Sequence, residues 1–301
     1  MWDQLLQQIA LSEPKALARS ISLVENEVEG YEQFLGKLPV GHAAVTGITG
    51  PPGAGKSTLV DALIHQWVLA GKKVGVLCID PSSPFNLGAV LGDRIRMSDW
   101  YNHPNVFIRS LATRGSLGGL HPHIIEITAL MQAAGFDHII VETVGVGQSE
   151  IEIAGLADTT VVVVVPEAGD EVQTMKAGLM EIADIFVVNK SDRPEADTFV
   201  RNLRMMLAPA FHQTTTAIPV IKTIATDKTG LAELATAIEQ HQQEVHHSER
   251  KDWLLTERAW KLIQQHRMKD INKQVLKDKI ASLRSEGTFN LFSFIHSYIQ
   301  Q

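Results

Sequence analysis

Short apolar runs alternate with stretches of helical length between residues 43 and 240, and no other feature of this 301-residue chain constrains its fold as much. Seven runs rich in β-branched residues are predicted strands, at 43–48, 73–79, 106–109, 138–142, 160–165, 185–188 and 218–222. Stretches of helical length separate most of them, at 57–70, 121–134, 172–182, 195–207 and 231–241. Strands that are apolar on both faces need cover on both faces, so the pattern predicts an α/β fold with a mostly parallel sheet flanked by helices.

A glycine-rich segment lies between the first predicted strand and the helix after it. It matches G-x-x-x-x-G-K-[ST] and comprises Gly50, Pro51, Pro52, Gly53, Ala54, Gly55, Lys56 and Ser57, followed by Thr58. The backbone N–H groups of such a loop, and the N-terminus of the next helix, point at phosphate oxygens. Lys56 supplies a cation for the β- and γ-phosphates, and Ser57 supplies a hydroxyl for Mg²⁺. In this context the motif predicts a P-loop rather than an ordinary glycine-rich turn.

A second motif, Asn189-Lys190-Ser191-Asp192, follows the predicted strand at 185–188 and reads N-K-x-D. The Asp192 carboxylate can accept from both the N1–H and the 2-amino group of guanine, whereas adenine has no such donor pair. Asn189 can brace the loop and reach N7, and the stem of Lys190 can cover the base. The motif therefore favours a site for GTP over a site for ATP. The alternative is that these four residues form an ordinary polar turn.

Three residues after the next strand are weaker candidates for the same base site. They are Ile224, Ala225 and Thr226, whose backbone N–H groups could reach the guanine O6. Only their position after a strand supports this prediction, and the alternative is that they have no such role.

Acidic residues at strand ends are candidates for a magnesium site. Glu142 ends the predicted strand at 138–142 and is followed three residues later by Gly145, the pattern by which a P-loop NTPase holds Mg²⁺ and senses the γ-phosphate. Asp80 and Asp93 are further candidates, and with Ser57 they complete the predicted metal set. The alternatives are that Asp80 caps a turn and that Asp93 is solvated. Lys56 and Glu142 are the predicted catalytic residues.

Several loop residues have two possible roles. Arg109 and Arg114 follow a strand and could form a phosphate-sensing or partner-sensing loop, or a structural ion pair. Gln148 could orient the attacking water or lie outside the site. Asp170 and Gln173 lie in another segment after a strand that could move. His121 and His123 could bind a metal, but a turn that starts a helix is favoured, because no cysteine or acid cluster lies near them in sequence.

The two ends of the chain differ from its middle. Leu17, Ile21, Val24 and Val28 fall on one helical face, and residues 1–40 are predicted to be an N-terminal helical extension. Residues 41–245 form the predicted nucleotide domain, and residues 246–301 form a helical C-terminal segment with an imperfect apolar stripe. Residues 248–301 carry a formal charge of +4 and residues 1–247 a charge of −11.

Composition excludes several classes of function. A net charge of −7 argues against a nucleic-acid partner. The single cysteine, Cys78, excludes an intramolecular disulfide and a cysteine-based zinc site. The apolar runs are too short to cross a membrane, and no secretory signal is recognisable at the start, so a cytoplasmic location is expected.

Five sequence segments together resemble those of the methylmalonyl-CoA-mutase-associated GTPases, the MeaB/ArgK-type metallochaperones of the SIMIBI class. They are GPPGAGKST, IDPSSPFNLGAVLGDRIRM, RSLATRGSLGGL, ETVGVGQSE and NKSD, and the resemblance extends from about residue 14 to at least 240. It implies a homodimeric G protein that binds GTP and GDP with Mg²⁺ and hydrolyses GTP slowly unless a partner stimulates it. The implied partner is an adenosylcobalamin-dependent acyl-CoA mutase, for which the G protein gates cofactor delivery and gives protection. The C-terminal segment would be a dimerisation arm.

The resemblance also implies roles for individual residues. The segment 50–58 would hold the phosphates, Asp80, Asp93 and Glu142 would serve the magnesium site, and Asn189, Lys190 and Asp192 would bind guanine. The loops 142–150, which includes Glu150, and 167–174 would be switch regions, the second contacting the mutase. Two alternatives stay open: a kinase or ATPase linked to basic amino-acid transport, and a metal-insertion GTPase. N-K-S-D argues against ATP, and the chain lacks the histidine-rich tract or paired cysteines that a nickel-insertion protein should have.

Overall fold

A computed structural model describes residues 1–80, 94–114, 120–145, 149–166, 177–210, 218–244, 249–268 and 271–299. The chain divides into two compact units, Met1–Asp252 and Trp253–Gln301. Asp93, Gln148, Asp170 and Gln173 lie outside the described residues.

The first unit is built on a seven-stranded sheet whose paired strands are all parallel. The strands are β1 (Ala44–Thr49), β2 (Val74–Asp80), β3 (Val106–Ala112), β4 (His138–Glu142), β5 (Thr159–Val164), β6 (Ile185–Val188) and β7 (Val220–Lys222). Their order is β3-β2-β4-β1-β5-β6-β7. The predicted α/β fold is confirmed, and each of the seven predicted runs forms a strand.

Helices cover both faces of this sheet. The helices of the first unit that the structure describes are α1 (Trp2–Ala10), α2 (Pro14–Glu25), α3 (Tyr31–Leu35), α4 (Lys56–Leu69), α5 (Ile124–Ala133), α6 (Ser149–Leu156), α7 (Ala177–Ile182), α8 (Ala196–Ala210), α9 (Leu231–Glu244) and the first turn of α10 (Glu249–Arg267). The described residues also form two 3-10 turns, Arg94–Trp100 and Ala225–Asp227.

Two apolar layers form the core of the first unit. On one face α4 and α9 bury side chains such as Leu63 and Leu234 against the β-branched residues of the strands. On the other face α7 and α8 pack around Phe186 and Leu203. Every residue of β5 is buried, as expected for a central strand covered on both faces.

The N-terminal helices pack on α5. Leu17, Ile21 and Val24 of α2 are buried, as their spacing predicts. The helix ends at Glu25, so the prediction that Val28 lies on the same helical face is wrong. Gly30 has a φ of 89° and begins α3 as its N-cap, a backbone conformation that glycine adopts at little cost.

The first turn of α10 is attached to the sheet at the end opposite the carboxyl ends of the strands. Lys251 Nζ lies 2.6 Å from Asp158 Oδ1, and the other oxygen of this carboxylate accepts from the Val45 backbone N–H at the start of β1. Arg250 donates to the last two carbonyls of α7, those of Glu181 at 2.8 Å and Ile182 at 3.2 Å. These residues belong to the first unit, so that unit extends beyond α9.

The second unit contains the rest of α10, α11 (Lys273–Ser285) and α12 (Leu291–Ile299). The side chain of Asn272 caps α11 by accepting from Gln274 N at 2.8 Å. Large apolar side chains of this unit are exposed, including Trp253 (66%), Trp260 (59%) and Phe292 (80%). Within the described part of the chain, no helix has both the length and the apolar character that crossing a membrane requires.

The contacts of Arg250 and Lys251 predict where the chain can be shortened. A 1–252 form keeps both contacts, whereas a 1–248 form loses them. Both side chains are partly exposed, which limits the contribution of these contacts to the free energy of unfolding to about 1–2 kcal/mol. We therefore expect the melting temperature of the shorter form to be about 4 °C lower. Thermal unfolding by circular dichroism measures this difference.

The double substitution Arg250→Ala, Lys251→Ala within the 1–252 form should lower the melting temperature similarly. Equal melting temperatures for all three proteins would contradict the stabilising role assigned to the Arg250 and Lys251 contacts.

Candidate functional site

The P-loop joins β1 to α4 at the carboxyl end of the sheet. Helix α4 begins at Lys56, with Gly55 as its N-cap at a φ of 90°. A Cβ atom at Gly55 would lie 2.5 Å from Asn189 Nδ2. Both the backbone conformation and this close approach therefore require glycine at the last position of the loop.

Lys56 is folded back onto the loop that precedes it. Its Nζ atom donates to the carbonyl oxygens of Gly50 at 2.9 Å and Pro51 at 3.1 Å, and the side chain is buried. Gly145, with a φ of 85°, lies against this ammonium group, and a Cβ there would collide with Lys56 Nζ and the Gly50 carbonyl. The structure therefore brings together the predicted phosphate-binding lysine and the glycine that follows Glu142.

Three of the four predicted metal ligands lie in the described residues, one in the first turn of α4 and two at the ends of neighbouring strands. Ser57 Oγ donates to Glu142 Oε1 at 2.6 Å, and both side chains are buried. Glu142 is the last residue of β4, and the buried Asp80 is the last residue of the adjacent β2. One hydroxyl and two carboxylates are oxygen donors of the kind that Mg²⁺ prefers, so these residues fit that ion.

A magnesium ion at this site would need ligands in addition to these protein side chains. Among the described residues, no group of three or more His, Cys, Asp or Glu side chains could hold a metal ion. Mg²⁺ commonly keeps several waters and binds one or two protein ligands together with nucleotide phosphates. The arrangement of Ser57 and Glu142 therefore suits a metal that enters with a nucleotide.

Asn189 joins the P-loop to the segment after β7. Its Nδ2 donates to the Ala54 carbonyl at 2.9 Å, while its Oδ1 accepts from Thr223 Oγ1 and from the Ala225 N–H, both at 3.1 Å. The side chain is buried, so these bonds are made away from water. Asn189 has the bracing role that the motif predicts.

A cavity of about 240 Å³ lies beside Asn189. Its lining consists of Gly55, Thr58, Asn189, Lys190, Asp192, Arg193, Ile224, Ala225 and Thr226. The structure thus brings all six predicted base-site residues to one pocket, including the three whose position alone supported them.

Lys190 connects this pocket to the P-loop. It has a φ of 55° and donates from Nζ to the Gly53 carbonyl at 2.8 Å. Lys190 is also one of the residues that line the cavity. Arg193 also lines the pocket, and sequence reasoning missed it although it follows Asp192 directly.

Arg109 and Arg114 form ion pairs with α2. Arg109 Nη2 donates to Glu25 Oε2 at 2.6 Å and to Ser22 Oγ at 3.0 Å, and Arg114 Nη1 donates to the Glu25 carbonyl at 2.8 Å. These contacts correspond to the structural ion pair, one of the two roles predicted for both arginines. Cations are favourable at the C-terminus of a helix, and both guanidinium groups contact Glu25, the last residue of α2. Sequence reasoning missed Glu25.

His121 and His123 lie beside the same carboxylate. His121 Nε2 is 3.6 Å from Glu25 Oε1, and His121 Nδ1 accepts from the His123 N–H at 3.1 Å. Burial, with the nearby charge of Arg114, lowers the pKa of His121 to about 3, so this histidine is neutral at physiological pH. His123 is the N-cap of α5. The structure therefore corresponds to the turn that starts a helix rather than to a metal site.

Glu150, a predicted switch residue, falls in the first turn of α6. The loop 142–150 is described at its two ends, up to Gly145 and from Ser149.

Comparisons with known proteins agree with this geometry. The family model of the methylmalonyl-CoA mutase-associated GTPase MeaB matches residues 17–280. A relative from Pyrococcus abyssi is 46% identical over 294 residues, covering 96% of this chain and 89% of its own length. GTPase ArgK from Escherichia coli is 38% identical over 213 residues, covering 69% of this chain and 64% of that protein.

Two further matches extend the comparison. The Caenorhabditis elegans protein named methylmalonic aciduria type A homolog, mitochondrial, is 46% identical over 147 residues, covering 48% of this chain and 37% of that protein. The crystal structure of an LAO/AO transport system kinase superposes with a TM-score of 0.70 at 25% identity, covering 100% of this chain and 98% of its own. The chain belongs to the MeaB family of methylmalonyl-CoA mutase-associated GTPases and is a GTPase.

Proposed function

We propose that the cavity beside Asn189 binds the guanine base of GTP and GDP. The observation that carries this proposal is the double attachment of the Asn189 amide, which places the pocket directly against the P-loop. Asp192 lines the pocket and supplies the acceptor pair for the guanine N1–H and 2-amino group. Ala225 and Thr226 line the same pocket, and because the Ala225 N–H donates to Asn189 Oδ1, the Thr226 N–H is the proposed donor to the guanine O6.

The P-loop residues 50–58 would hold the phosphates beside this base. In the structure described, Lys56 Nζ is hydrogen-bonded to two loop carbonyls, and phosphate oxygens would compete with these for the ammonium group. Ser57, Glu142 and Asp80 would hold Mg²⁺, with Asp93 as the remaining candidate. The ion, when bound, neutralises phosphate charge. Lys56 adds a second positive charge there, and Gly145 leaves room for it.

The cellular role that we propose is that of a chaperone for an adenosylcobalamin-dependent acyl-CoA mutase, gating cofactor delivery and protecting the mutase. Membership of a mutase-associated family and similarity to the methylmalonic aciduria type A homolog support it. The exposed Trp253, Trp260 and Phe292 of the second unit support a homodimer, because exposed aromatic clusters are typical of interfaces. The 1–252 form would then be monomeric.

The two alternative functions have less support. A transport-linked kinase or ATPase would need an adenine site, whereas Asp192 offers acceptors that adenine cannot satisfy. A metal-insertion GTPase would need a cargo site, and the described residues contain no cluster of metal-binding side chains.

Asp192→Asn tests the base site. A charged acceptor of two hydrogen bonds is lost, so we expect GTP affinity to fall about 100-fold or more. Xanthine carries a carbonyl in place of the 2-amino group, so the new amide should favour xanthosine triphosphate. Equilibrium titration with fluorescent analogues of both nucleotides measures this change in preference.

Asp227→Asn is the control, since Asp227 is exposed beside the pocket but does not line it. Unchanged GTP affinity in Asp192→Asn would contradict the guanine assignment.

Reconstitution with purified mutases tests the chaperone role. We expect one adenosylcobalamin-dependent acyl-CoA mutase to bind the chain and raise its GTP hydrolysis rate about tenfold or more, because partner-supplied groups contribute at least that much in related chemistry. Asp192→Asn assayed with GTP is the control that should not respond. If no such mutase binds or stimulates, the chaperone role fails while the GTPase activity stands.

A further inference from the structure

Two buried threonine hydroxyls meet between the P-loop and the segment that follows Glu142. Thr143 Oγ1 donates to Thr49 Oγ1 at 2.9 Å, and both side chains are almost fully buried. Thr49 is the last residue of β1, directly before Gly50. Thr143 comes directly after Glu142, the last residue of β4. No motif in the sequence assigns either hydroxyl a role.

The Thr49–Thr143 pair extends the parallel pairing of β1 and β4 by one residue beyond the last register pair of the two strands. Ile48 and Glu142 are the final register partners, and the Thr143 N–H then donates to the Ile48 carbonyl at 3.0 Å. The hydroxyl bond lies one residue further along. Backbone and side chain therefore hold Thr143 against the end of β1.

The same two segments are also joined through the metal site. Ser57 belongs to the first turn of α4, and its hydroxyl donates to Glu142 Oε1 at 2.6 Å. The Thr49–Thr143 bond thus supports the backbone on which Glu142 is carried, next to the strand that leads into the P-loop. Loss of the hydroxyl bond would leave Glu142 attached to a less constrained strand end.

We infer that Thr143, with Thr49, is a positioning residue that holds the Glu142 carboxylate beside Ser57 in the geometry that a magnesium–nucleotide complex requires. This inference rests on the proposed function. In this inference the pair acts through Glu142, because the two hydroxyls are hydrogen-bonded to each other. Buried neutral hydroxyls suit this task, because their bond does not titrate and is not screened by salt.

Isosteric substitutions test the inference without opening a cavity. Thr143→Val and Thr49→Val each remove the bond, and each should raise the Mg²⁺ concentration for half-maximal GTP hydrolysis about fivefold, the factor that corresponds to one hydrogen bond of about 1 kcal/mol. The double variant should be no worse than either single variant, because the bond can be lost only once. Thr143→Ser keeps the hydroxyl and should restore wild-type behaviour.

A second readout does not depend on activity. Hydrogen exchange of the nucleotide-free proteins should be faster in Thr143→Val than in wild type for the peptide that contains residues 142–145, and it should return to normal in Thr143→Ser. Affinity for a fluorescent GDP analogue in EDTA should change less than twofold in all variants, since the base pocket is untouched.

Thr160→Val is the matched control. Thr160 is a buried threonine near the start of β5, the strand that pairs with β1, and so lies at the end of the sheet opposite the P-loop. Its hydroxyl has no hydrogen-bond partner among the described residues. Its removal should leave Mg²⁺ dependence and exchange at 142–145 unchanged.

The outcomes separate this inference from the proposed function. Wild-type Mg²⁺ dependence in Thr143→Val, additive effects in the double variant, or an equal change in Thr160→Val would overturn the positioning role. In each of these cases GDP binding by the wild-type protein would leave the proposed function intact. Failure of the wild-type protein to bind GDP would overturn both.

Discussion

The geometry of the site depends on one buried amide. Asn189 donates to the P-loop at Ala54 and accepts from Thr223 and Ala225, so a single side chain connects two segments that are far apart in sequence. A buried amide that lost one of these partners would leave a polar atom without compensation, at a cost of about 1–3 kcal/mol. One side chain therefore joins the P-loop to the proposed base pocket, as recognition of a whole nucleotide would require.

The strand order explains why the remaining groups meet. β1 lies between β4 and β5, so the P-loop emerges next to Glu142 on one side and next to the strands that lead to Asn189 on the other. All of these strands are parallel, and their carboxyl ends share one edge of the sheet. At the opposite end of the strands, Asp158 accepts from Lys251 in the first turn of α10, within the first unit.

The sequence predicted the parts of the site that are contiguous motifs. Residues 50–58 and the Asn189–Asp192 turn each contain their geometric requirements within a few residues, and the strands around them are strongly apolar. Position after a strand was enough to place Ile224, Ala225 and Thr226, because neighbouring parallel strands end together. The prediction of an α/β sheet succeeded for the same reason.

Pairings between distant segments could not be predicted in this way. The ion pairs of Arg109 and Arg114 depend on where α2 packs, and the sequence offered only a choice between that and a sensing loop. The Thr49–Thr143 bond depends on β1 and β4 being neighbours, which alternation of strands and helices does not specify. The attachment of Arg250 to α7 likewise arises from tertiary packing, which composition does not specify.

The most direct test of the account is equilibrium titration of the purified chain with GDP and, separately, with ADP. A pocket in which Asp192 accepts from guanine, held to the P-loop by Asn189, should bind GDP at least about a thousandfold more tightly than ADP, because a site built on hydrogen bonds strongly rejects a ligand that lacks the donors. Equal affinity for the two nucleotides would contradict the account.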